Sequence, residues 1–421
     1  MREPSRQPSA VAEHPGTGHD VFVARQPIFD RHNRVFAYEL LFRSSFENVC
    51  RDVSLSEAAG RVLSGAVLTF GLEELTGGRK AFVNFTEDHL LSGAAELLPP
   101  ETTVIELLEH VEPRPEIVEV VRTLKRSGYL VALDDFVYRP ELEPLVDLAD
   151  IIKIAFRTTT PAERRDLAYR LLPRGVQLLA EQVETFSEID EARRIGCVYF
   201  QGYFFRRPEV MTRREFSGYR LTYVQILRAI GRAELQYDEM EDIIRRDVSM
   251  SHKLLRYINS AWFGWRMEIK SIRHALVLLG ERDVRRWVSL VALGGFCSGK
   301  PQELLVDSAV RARLCEALAR VAGFEGREFD LFLLGAFSLI DAMLDSTMEQ
   351  ALAQMPIAAD VKAALLGDAS RLRQVLDLAV QYEDGAWEAF TETAAAMGLA
   401  ESTVPPIHVE ALAWAREAFR R

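Results

Sequence analysis

The feature that most constrains this fold is a series of seven short apolar runs between Val21 and Pro208, each carrying a polar residue able to bind a metal ion or a phosphate. Successive polar positions lie 45, 22, 28, 19, 28 and 20 residues apart. Every gap after the first has room for one helix and two short loops, which predicts βαβ units and a parallel sheet. The polar residues are Glu39, Asn84, Glu106, Asp134 with its neighbour Asp135, Lys153, Glu181 and Gln201.

The segments between these runs have helical periodicity. In "RPEIVEVVRTLKRSG", apolar residues recur at helical spacing from Ile117 to Leu124, and Gly128 can end the helix. "SEIDEARRIG" repeats the form on a smaller scale. Seven strands with polar residues at their ends predict a closed α/β barrel, in which those residues gather at one rim.

The run "YLVALDDF" ends in two adjacent carboxylates, Asp134 and Asp135. An isolated Asp pair is more often a solvated turn. If the barrel closes, however, several carboxylates meet at one mouth and need cations to stay ionised together. An all-oxygen set suits Mg²⁺ or Mn²⁺ rather than zinc, and Lys153 and Arg43 could supply positive charge to a phosphate.

Composition narrows the function classes. A net charge of -11 disfavours binding of nucleic-acid polymers, and no stretch approaches 18 uninterrupted apolar residues, so we expect no membrane insertion. Four cysteines without metal-type spacing suggest a reducing, cytoplasmic location. Residues 1–19 are rich in Pro, Ser and charge, and are predicted to be a disordered tail rather than a signal peptide.

The pattern changes after Pro208, where residues 206–218 read as a charged linker. Amphipathic helices are predicted beyond it, in "VSMSHKLLRYINS", "SIRHALVLLG", "RDVRRWVSLVALGGF" and "FDLFLLGAFSLIDAMLD". We therefore predict a barrel over residues 20–208 and an all-α domain over residues 209–421.

Residues 21–208 resemble the EAL domain, a bacterial phosphodiesterase module that linearises cyclic di-GMP on a modified TIM-like (β/α)8 barrel with two divalent ions. The motifs that carry the resemblance are "RQPIFD", "YELLFR", "FVNF", "IELLE", "LDDF", "IIKI", "AEQVET" and "FQGYFFRRP". It implies metal ligation by Glu39, Asn84, Glu106, Asp134 and Asp135. It also implies catalytic roles for Lys153, Glu181 and Asp135, substrate contacts from Arg43 and Gln201, and a loop-supporting role for Glu109.

The chain departs from the family pattern after the doublet. The family continues with "FGTGYSSL", whereas this chain reads "FVYRPELEPL", with no glycine and with Pro140. Such a loop cannot form the same positive-φ turns. Family members dimerise partly through it, so the change argues against a homodimer built on that contact, and the oligomeric state stays open. Ala155 and Gln182 also replace the Asp and Gly of the family's "KID" and "AEGVET".

"LLRYINSAWFG" and "SIRHALVLLGERDVRRWV" resemble the HDOD domain, an all-α relative of the HD phosphohydrolases. Asp341 has no preceding histidine, and His252 and His274 are isolated, so we expect a module that binds an as yet unknown protein partner rather than a second hydrolase. The two resemblances imply a cyclic di-GMP signalling protein. They leave open a phosphodiesterase forming linear pGpG, a catalytically silent receptor, and a barrel that serves only as a scaffold.

Overall fold

The computed structural model describes residues 22–43, 71–206, 226–232, 234–260, 263, 267–297, 300–353 and 355–419. The predicted N-terminal tail, most of the predicted linker and Cys50 lie outside these residues.

Eight strands form one closed barrel in chain order. The strands are β1 (Phe22–Asp30), β2 (Val35–Arg43), β3 (Lys80–Phe85), β4 (Thr103–Leu107), β5 (Leu130–Leu133), β6 (Ile151–Ala155), β7 (Gln177–Glu181) and β8 (Tyr199–Gln201). The seven predicted strands are β2 to β8, each parallel to the next, so the predicted barrel is confirmed.

The extra strand, β1, runs antiparallel to both β2 and β8 and closes the barrel. It joins β2 through a tight turn instead of a helix, in which the Asp30 carboxylate accepts hydrogen bonds from the backbone N–H groups of His32 and Arg34. The strand-to-helix spacing used for the other strands therefore could not reveal β1; only the resemblance of "RQPIFD" indicated it.

Short helices connect the strands, and the two helices predicted in detail are confirmed as α3 and α6. Their carboxyl ends are followed by the positive-φ residues Gly128 and Gly196. The α-helices of this half are α1 (Leu72–Thr76), α2 (Glu87–Leu91), α3 (Pro115–Arg126), α4 (Glu143–Val146), α5 (Pro161–Leu171) and α6 (Phe186–Ile195).

The barrel interior is layered because side chains alternate along each strand. One apolar layer contains Ile28, Ala37, Phe82, Val104, Ala132, Ile151 and Leu179. Two residues further along each parallel strand, on the same inward face, stand Glu39, Asn84, Glu106, Asp134, Lys153 and Glu181. At the carboxyl ends of the strands, a polar layer therefore lies directly above an apolar layer.

The second half is helical, and no helix among the described residues is long and apolar enough to cross a membrane. Its helices are α7 (Tyr237–Arg246), α8 (Val248–Ile258), α9 (Ile272–Phe296), α10 (Gln302–Leu318), α11 (Glu328–Ala336), α12 (Ile340–Leu344), α13 (Met348–Leu352), α14 (Ala359–Leu365), α15 (Arg371–Glu383), α16 (Trp387–Met397) and α17 (Val404–Ala418). The predicted helices "SIRHALVLLG" and "RDVRRWVSLVALGGF" are both in α9, which kinks at Gly280. The predicted helix "FDLFLLGAFSLIDAMLD" is instead interrupted between α11 and α12.

Buried charges join the barrel to the helical half. Arg206, just after β8, pairs with Asp307 of α10 at 2.9 Å and with Asp384 at 2.7 Å. On the outer side of the β1–β2 pair, Arg25 lies 3.5 Å from Glu303, which also accepts a hydrogen bond from the Tyr38 hydroxyl at 2.9 Å. We call these contacts the buried junction.

Candidate functional site

Lys153 lies at the centre of the polar layer, with its side chain only 2% exposed. Its Nζ lies 3.3 Å from Glu39 Oε2 and 2.9 Å from Glu181 Oε2, and it also donates to Glu106 Oε1. Asp134 Oδ1 lies 2.7 Å from the same Nζ and forms an ion pair with it, but the geometry does not suit a hydrogen bond. One ammonium group thus faces four carboxylates from four different strands.

Burial and charge set the protonation of this cluster. Burial, together with the neighbouring Glu39, raises the pKa of Glu106 well above its usual value, although Lys153 opposes the shift. Burial also raises the pKa of Glu181, and a hydrogen bond with the Asp135 carboxyl adds to the shift while Lys153 opposes it. Burial alone would lower the pKa of Lys153, but the surrounding carboxylates, Glu106 first, raise it well above its usual value. A single cation does not fully compensate so many carboxylates.

Two amide side chains complete the layer. Asn84 Nδ2 donates to Glu39 Oε1 at 3.5 Å, and Gln201 Nε2 donates to Glu39 Oε2 at 2.5 Å and to Gln26 Oε1 at 2.8 Å. Besides Asp134 Oδ1, which is ion-paired with Lys153, three buried oxygens here, Asn84 Oδ1, Glu106 Oε2 and Gln201 Oε1, accept no hydrogen bond from the described residues. Buried acceptors are normally paired, so these oxygens are free to bind a cation, its water or a ligand.

The backbone also fixes the position of Gln201. The next residue, Gly202, has φ +141°, and a Cβ there would lie 2.1 Å from the carbonyl oxygen of Val183. Only glycine at this position lets the chain at the end of β8 come so close to the chain that follows β7. Glu181 is the last residue of β7, so the contact also brings Gln201 and Glu181 to the same end of the barrel.

The donor set fits divalent cations that prefer oxygen. Glu39, Asn84, Glu106 and Asp134 offer carboxylate and amide oxygens at one rim, the ligand types of Mg²⁺ and Mn²⁺. In the described part of the chain, no group of three or more His, Cys, Asp or Glu side chains has metal-binding geometry; these carboxylates instead contact Lys153. The suitability of this rim for divalent cations therefore rests on the ligand types of its residues and on the buried oxygens that lack a hydrogen bond.

Asp135 differs from its neighbour, because it is exposed and has a φ of +39°. Gln182, where the family pattern has glycine, is also left-handed at φ +55°. Left-handed backbone is strained for residues other than glycine, and such strain is concentrated at functional sites. The loop after Asp135 has no further positive φ up to Pro140, as expected from its lack of glycine.

This loop borders a cavity of about 370 Å³ lined by residues that include Glu109, Asp134, Asp135 and Arg139. Glu109 is exposed, and within the described residues its carboxylate makes no hydrogen bond to the loop. Arg139 instead pairs with Glu112 at 3.2 Å. The loop-supporting role predicted for Glu109 stays a prediction.

Arg43 is the one predicted substrate-binding residue whose side chain does not join the cluster. Its guanidinium donates to Glu401 Oε2 and, at 2.9 Å, to Thr391 Oγ1, both in the helical half. It also lies over the Phe22 ring, 5.1 Å from its centroid. Sequence reasoning missed Thr391, Glu401 and Gln26, because their partners are distant in the chain and leave no periodic signal.

The helical half shows no HD-type centre in its described part. His252 and His274 are exposed and separate, and the Asp341 carboxylate accepts a hydrogen bond from the N–H of Ala342 at 2.8 Å. The expectation that this domain is not a metal hydrolase stays a prediction.

Comparison with known proteins identifies both halves. The EAL domain family matches residues 17–208 and the HDOD domain family residues 220–359. The uncharacterized protein YuxH of Bacillus subtilis is 35% identical over 94% of this chain and 98% of its own. The cyclic di-GMP phosphodiesterase CdgJ of Vibrio cholerae is 33% identical over 96% of this chain and 94% of its own.

Among solved structures, the PaMucR phosphodiesterase in complex with c-di-GMP is 20% identical and has a TM-score of 0.38, covering 44% of this chain and 95% of that one. YuxH and CdgJ match this chain nearly end to end. The chain belongs to the family of two-domain proteins in which an EAL domain is followed by an HDOD domain.

Proposed function

We propose that this protein hydrolyses cyclic di-GMP to linear pGpG with two divalent ions, Mg²⁺ or Mn²⁺. The observation that carries the proposal is the polar layer, in which four carboxylates share one ammonium and three further buried oxygens have neither an ion-pair partner nor a hydrogen-bond donor among the described residues. The relative CdgJ, whose name gives this activity, supports it.

In this proposal Glu39, Asn84, Glu106 and Asp134 would hold one ion, and Asp135 would help to hold the second. Bound there, the ions polarise the phosphoryl oxygen and lower the pKa of a water molecule. Lys153 donates a hydrogen bond that orients the attacking water, and Glu181 accepts its proton. Water adds to phosphorus, one P–O3′ bond breaks, and the leaving oxygen takes a proton from solvent, giving a 5′-phosphate and a 3′-hydroxyl.

The remaining residues bind without reacting. Gln201 donates to Glu39 and fixes the orientation of that carboxylate. Arg43, once released from Glu401, provides a planar pair of donors for a phosphate that does not react. We assign these functions to a barrel domain over residues 20–208 and interaction with a protein partner to residues 209–421. The free thiols of Cys197, Cys297 and Cys315 support a cytoplasmic location.

A second candidate function is a receptor that binds cyclic di-GMP without cleaving it. The observation that favours it is the loop after Asp135, which lacks the family's glycines and lies beside an exposed, left-handed Asp135. A second ion held only by Asp134, Asp135 and this loop would be weakly held, whereas Glu39 and Glu106, which would hold the first ion, are buried.

A product assay separates the two functions. Purified protein is incubated with cyclic di-GMP in Mg²⁺, in Mn²⁺ and in chelator, and linear pGpG is separated from substrate. Metal-dependent pGpG supports the phosphodiesterase. Calorimetric binding without product supports the receptor, and neither binding nor product contradicts both.

Variants of the polar layer test the assignment. Asp134→Asn and Glu39→Ala should each lower turnover by about a hundredfold or more, the size expected when a preorganised charge is removed from an active site. The matched control is Glu101→Gln, which removes an exposed carboxylate just before β4, at the opposite end of the barrel, and should leave turnover unchanged. Circular dichroism establishes that each variant is folded. Full activity in both rim variants would disprove the mechanism.

A further inference from the structure

The helical domain reaches the rim of the barrel through one residue of the proposed substrate site. Arg43, the last residue of β2, donates from Nη1 to Glu401 and from Nη2 to Thr391 Oγ1. Thr391 is in α16, and Glu401 begins a short 3₁₀ helix, Glu401–Thr403, just before α17. Both outer nitrogens of the guanidinium therefore have partners in the other domain.

Strand geometry places Arg43 above the polar layer. It follows Glu39 by four residues, so both side chains leave β2 on the same face, roughly 13 Å apart along the strand. Leu41, between them on that face, lies against Gly385, where a Cβ would be 3.0 Å from Leu41 Cδ1. The segment from Gly385 to Glu401 thus packs along the outer end of the strand that carries the first metal ligand.

Aromatic contacts hold this segment in place. Phe22, which pairs with Arg43 across the β1–β2 ladder, packs edge-on against Trp387 and Phe390 at centroid distances of 6.3 and 6.1 Å. Tyr382 packs in turn on Trp387 at 5.6 Å. The approach of Glu401 to Arg43 is therefore part of a packed interface rather than an isolated surface contact.

We propose that Glu401 masks Arg43, so that the helical domain itself lowers the affinity of the barrel for cyclic di-GMP; this rests on the proposed function. A carboxylate and a phosphodiester are both anions that bind an arginine through paired hydrogen bonds, and they compete for the same donors. Thr391 shares the guanidinium and holds it toward the helical domain. Ligand binding must displace Glu401, and a partner that moves the segment from Trp387 to Glu401 would release Arg43.

The contact is suited to such exchange. The Arg43 and Glu401 side chains are 20% and 27% exposed, so water can solvate both groups as they separate. Charges that remain partly solvated exchange partners without the penalty paid by a buried, uncompensated charge. Arg43 can therefore be released while the buried junction stays intact.

The test compares full-length Glu401→Gln with the parent by calorimetric titration of cyclic di-GMP in chelator and in Mg²⁺. The matched control is Glu392→Gln, an exposed carboxylate of α16 one residue from Thr391. Glu401→Gln should bind about three- to tenfold more tightly, equivalent to about 0.7 to 1.4 kcal/mol, and Glu392→Gln should bind like the parent. The gain should disappear in the Arg43→Gln background.

The activity assay provides a second readout. Because Arg43 holds a phosphate that does not react, Glu401→Gln should lower KM with little change in kcat. Thr391→Val, which keeps the side-chain shape but removes the hydroxyl, should lower KM less.

The outcomes separate this inference from the proposed function. If the parent binds or cleaves cyclic di-GMP and Glu401→Gln shows no gain, masking is wrong and the proposed function stands. A gain that persists in the Arg43→Gln background also overturns masking, since the effect then bypasses Arg43. If no variant binds or cleaves the dinucleotide, both proposals are wrong, because a released Arg43 then attracts no such ligand.

Discussion

Two of the contacts between the barrel and the helical domain differ in burial. At the buried junction, Arg206 and Asp307 are each only 10% exposed, and Arg206 contacts more than one carboxylate. At the rim, Arg43 and Glu401 are about twice as exposed. Removing one partner of a buried ion pair strongly destabilises a protein, whereas a partly solvated pair contributes little to stability. We infer that the buried junction holds the two domains together, and that the contact between Arg43 and Glu401 can open when ligand binds.

Breaking the buried junction should lower the free energy of unfolding more than the other changes proposed below. Arg206→Ala leaves the buried carboxylate of Asp307 without its arginine and should lower the free energy of unfolding by about 3 to 5 kcal/mol. Urea unfolding monitored by tryptophan fluorescence measures the change.

The control for this variant is Arg126→Ala, whose side chain is 71% exposed and 3.8 Å from Glu119. It should change the unfolding midpoint little. Equal midpoints for Arg206→Ala and the parent would contradict the view that the junction holds the domains together.

A smaller effect is expected at acidic pH from His408, which is 3% exposed in α17 and packs 4.9 Å from the Tyr382 ring. Burial, aided by the charge of Arg25, lowers the pKa of His408 to about 3. The unfolded chain binds this proton near pH 6.5, so the native state loses stability as pH falls below that value. By linkage the loss is about 2 kcal/mol at pH 5.

His408→Gln removes the titrating group. The difference in unfolding free energy between pH 7.5 and pH 5 should therefore be about 2 kcal/mol smaller in the variant than in the parent. His274→Gln, at an exposed histidine, is the control and should keep the pH dependence of the parent. The same pH dependence in His408→Gln and the parent would show that His408 is protonated in the folded protein.

Features set by local spacing in the sequence could be predicted, whereas contacts between distant segments could not. Glu39, Asn84, Glu106, Asp134, Lys153 and Glu181 were identifiable because each stands two residues beyond an apolar inward-facing residue of its own strand, so local spacing determines the layer. Strand β1 lacked that signal because a tight turn, not a helix, joins it to β2. Only the resemblance of "RQPIFD" indicated this strand, and it assigned no role to Gln26.

Contacts between distant segments could not be predicted. Glu401 lies 358 residues from Arg43, and a single charge pair leaves no periodic trace in a sequence. The resemblance predicts a substrate contact for Arg43, and the packed structure shows its partner in the helical half. The break between α11 and α12 was missed for a similar reason, since an apolar helical pattern continues through residues 337–339.

The contact between Arg43 and Glu401 should contribute little to the stability of the fold. Glu401→Gln should lower the free energy of unfolding by less than about 1 kcal/mol, because a partly exposed pair contributes little and salt screens it. Urea unfolding at low and high ionic strength measures this, with Glu392→Gln as the charge-matched control. A loss of several kcal/mol would mean that the rim contact also fixes the domains, so that ligand could reach Arg43 only if the domains separate. A small loss combined with tighter binding of cyclic di-GMP would mean that Glu401 regulates the site without supporting the fold.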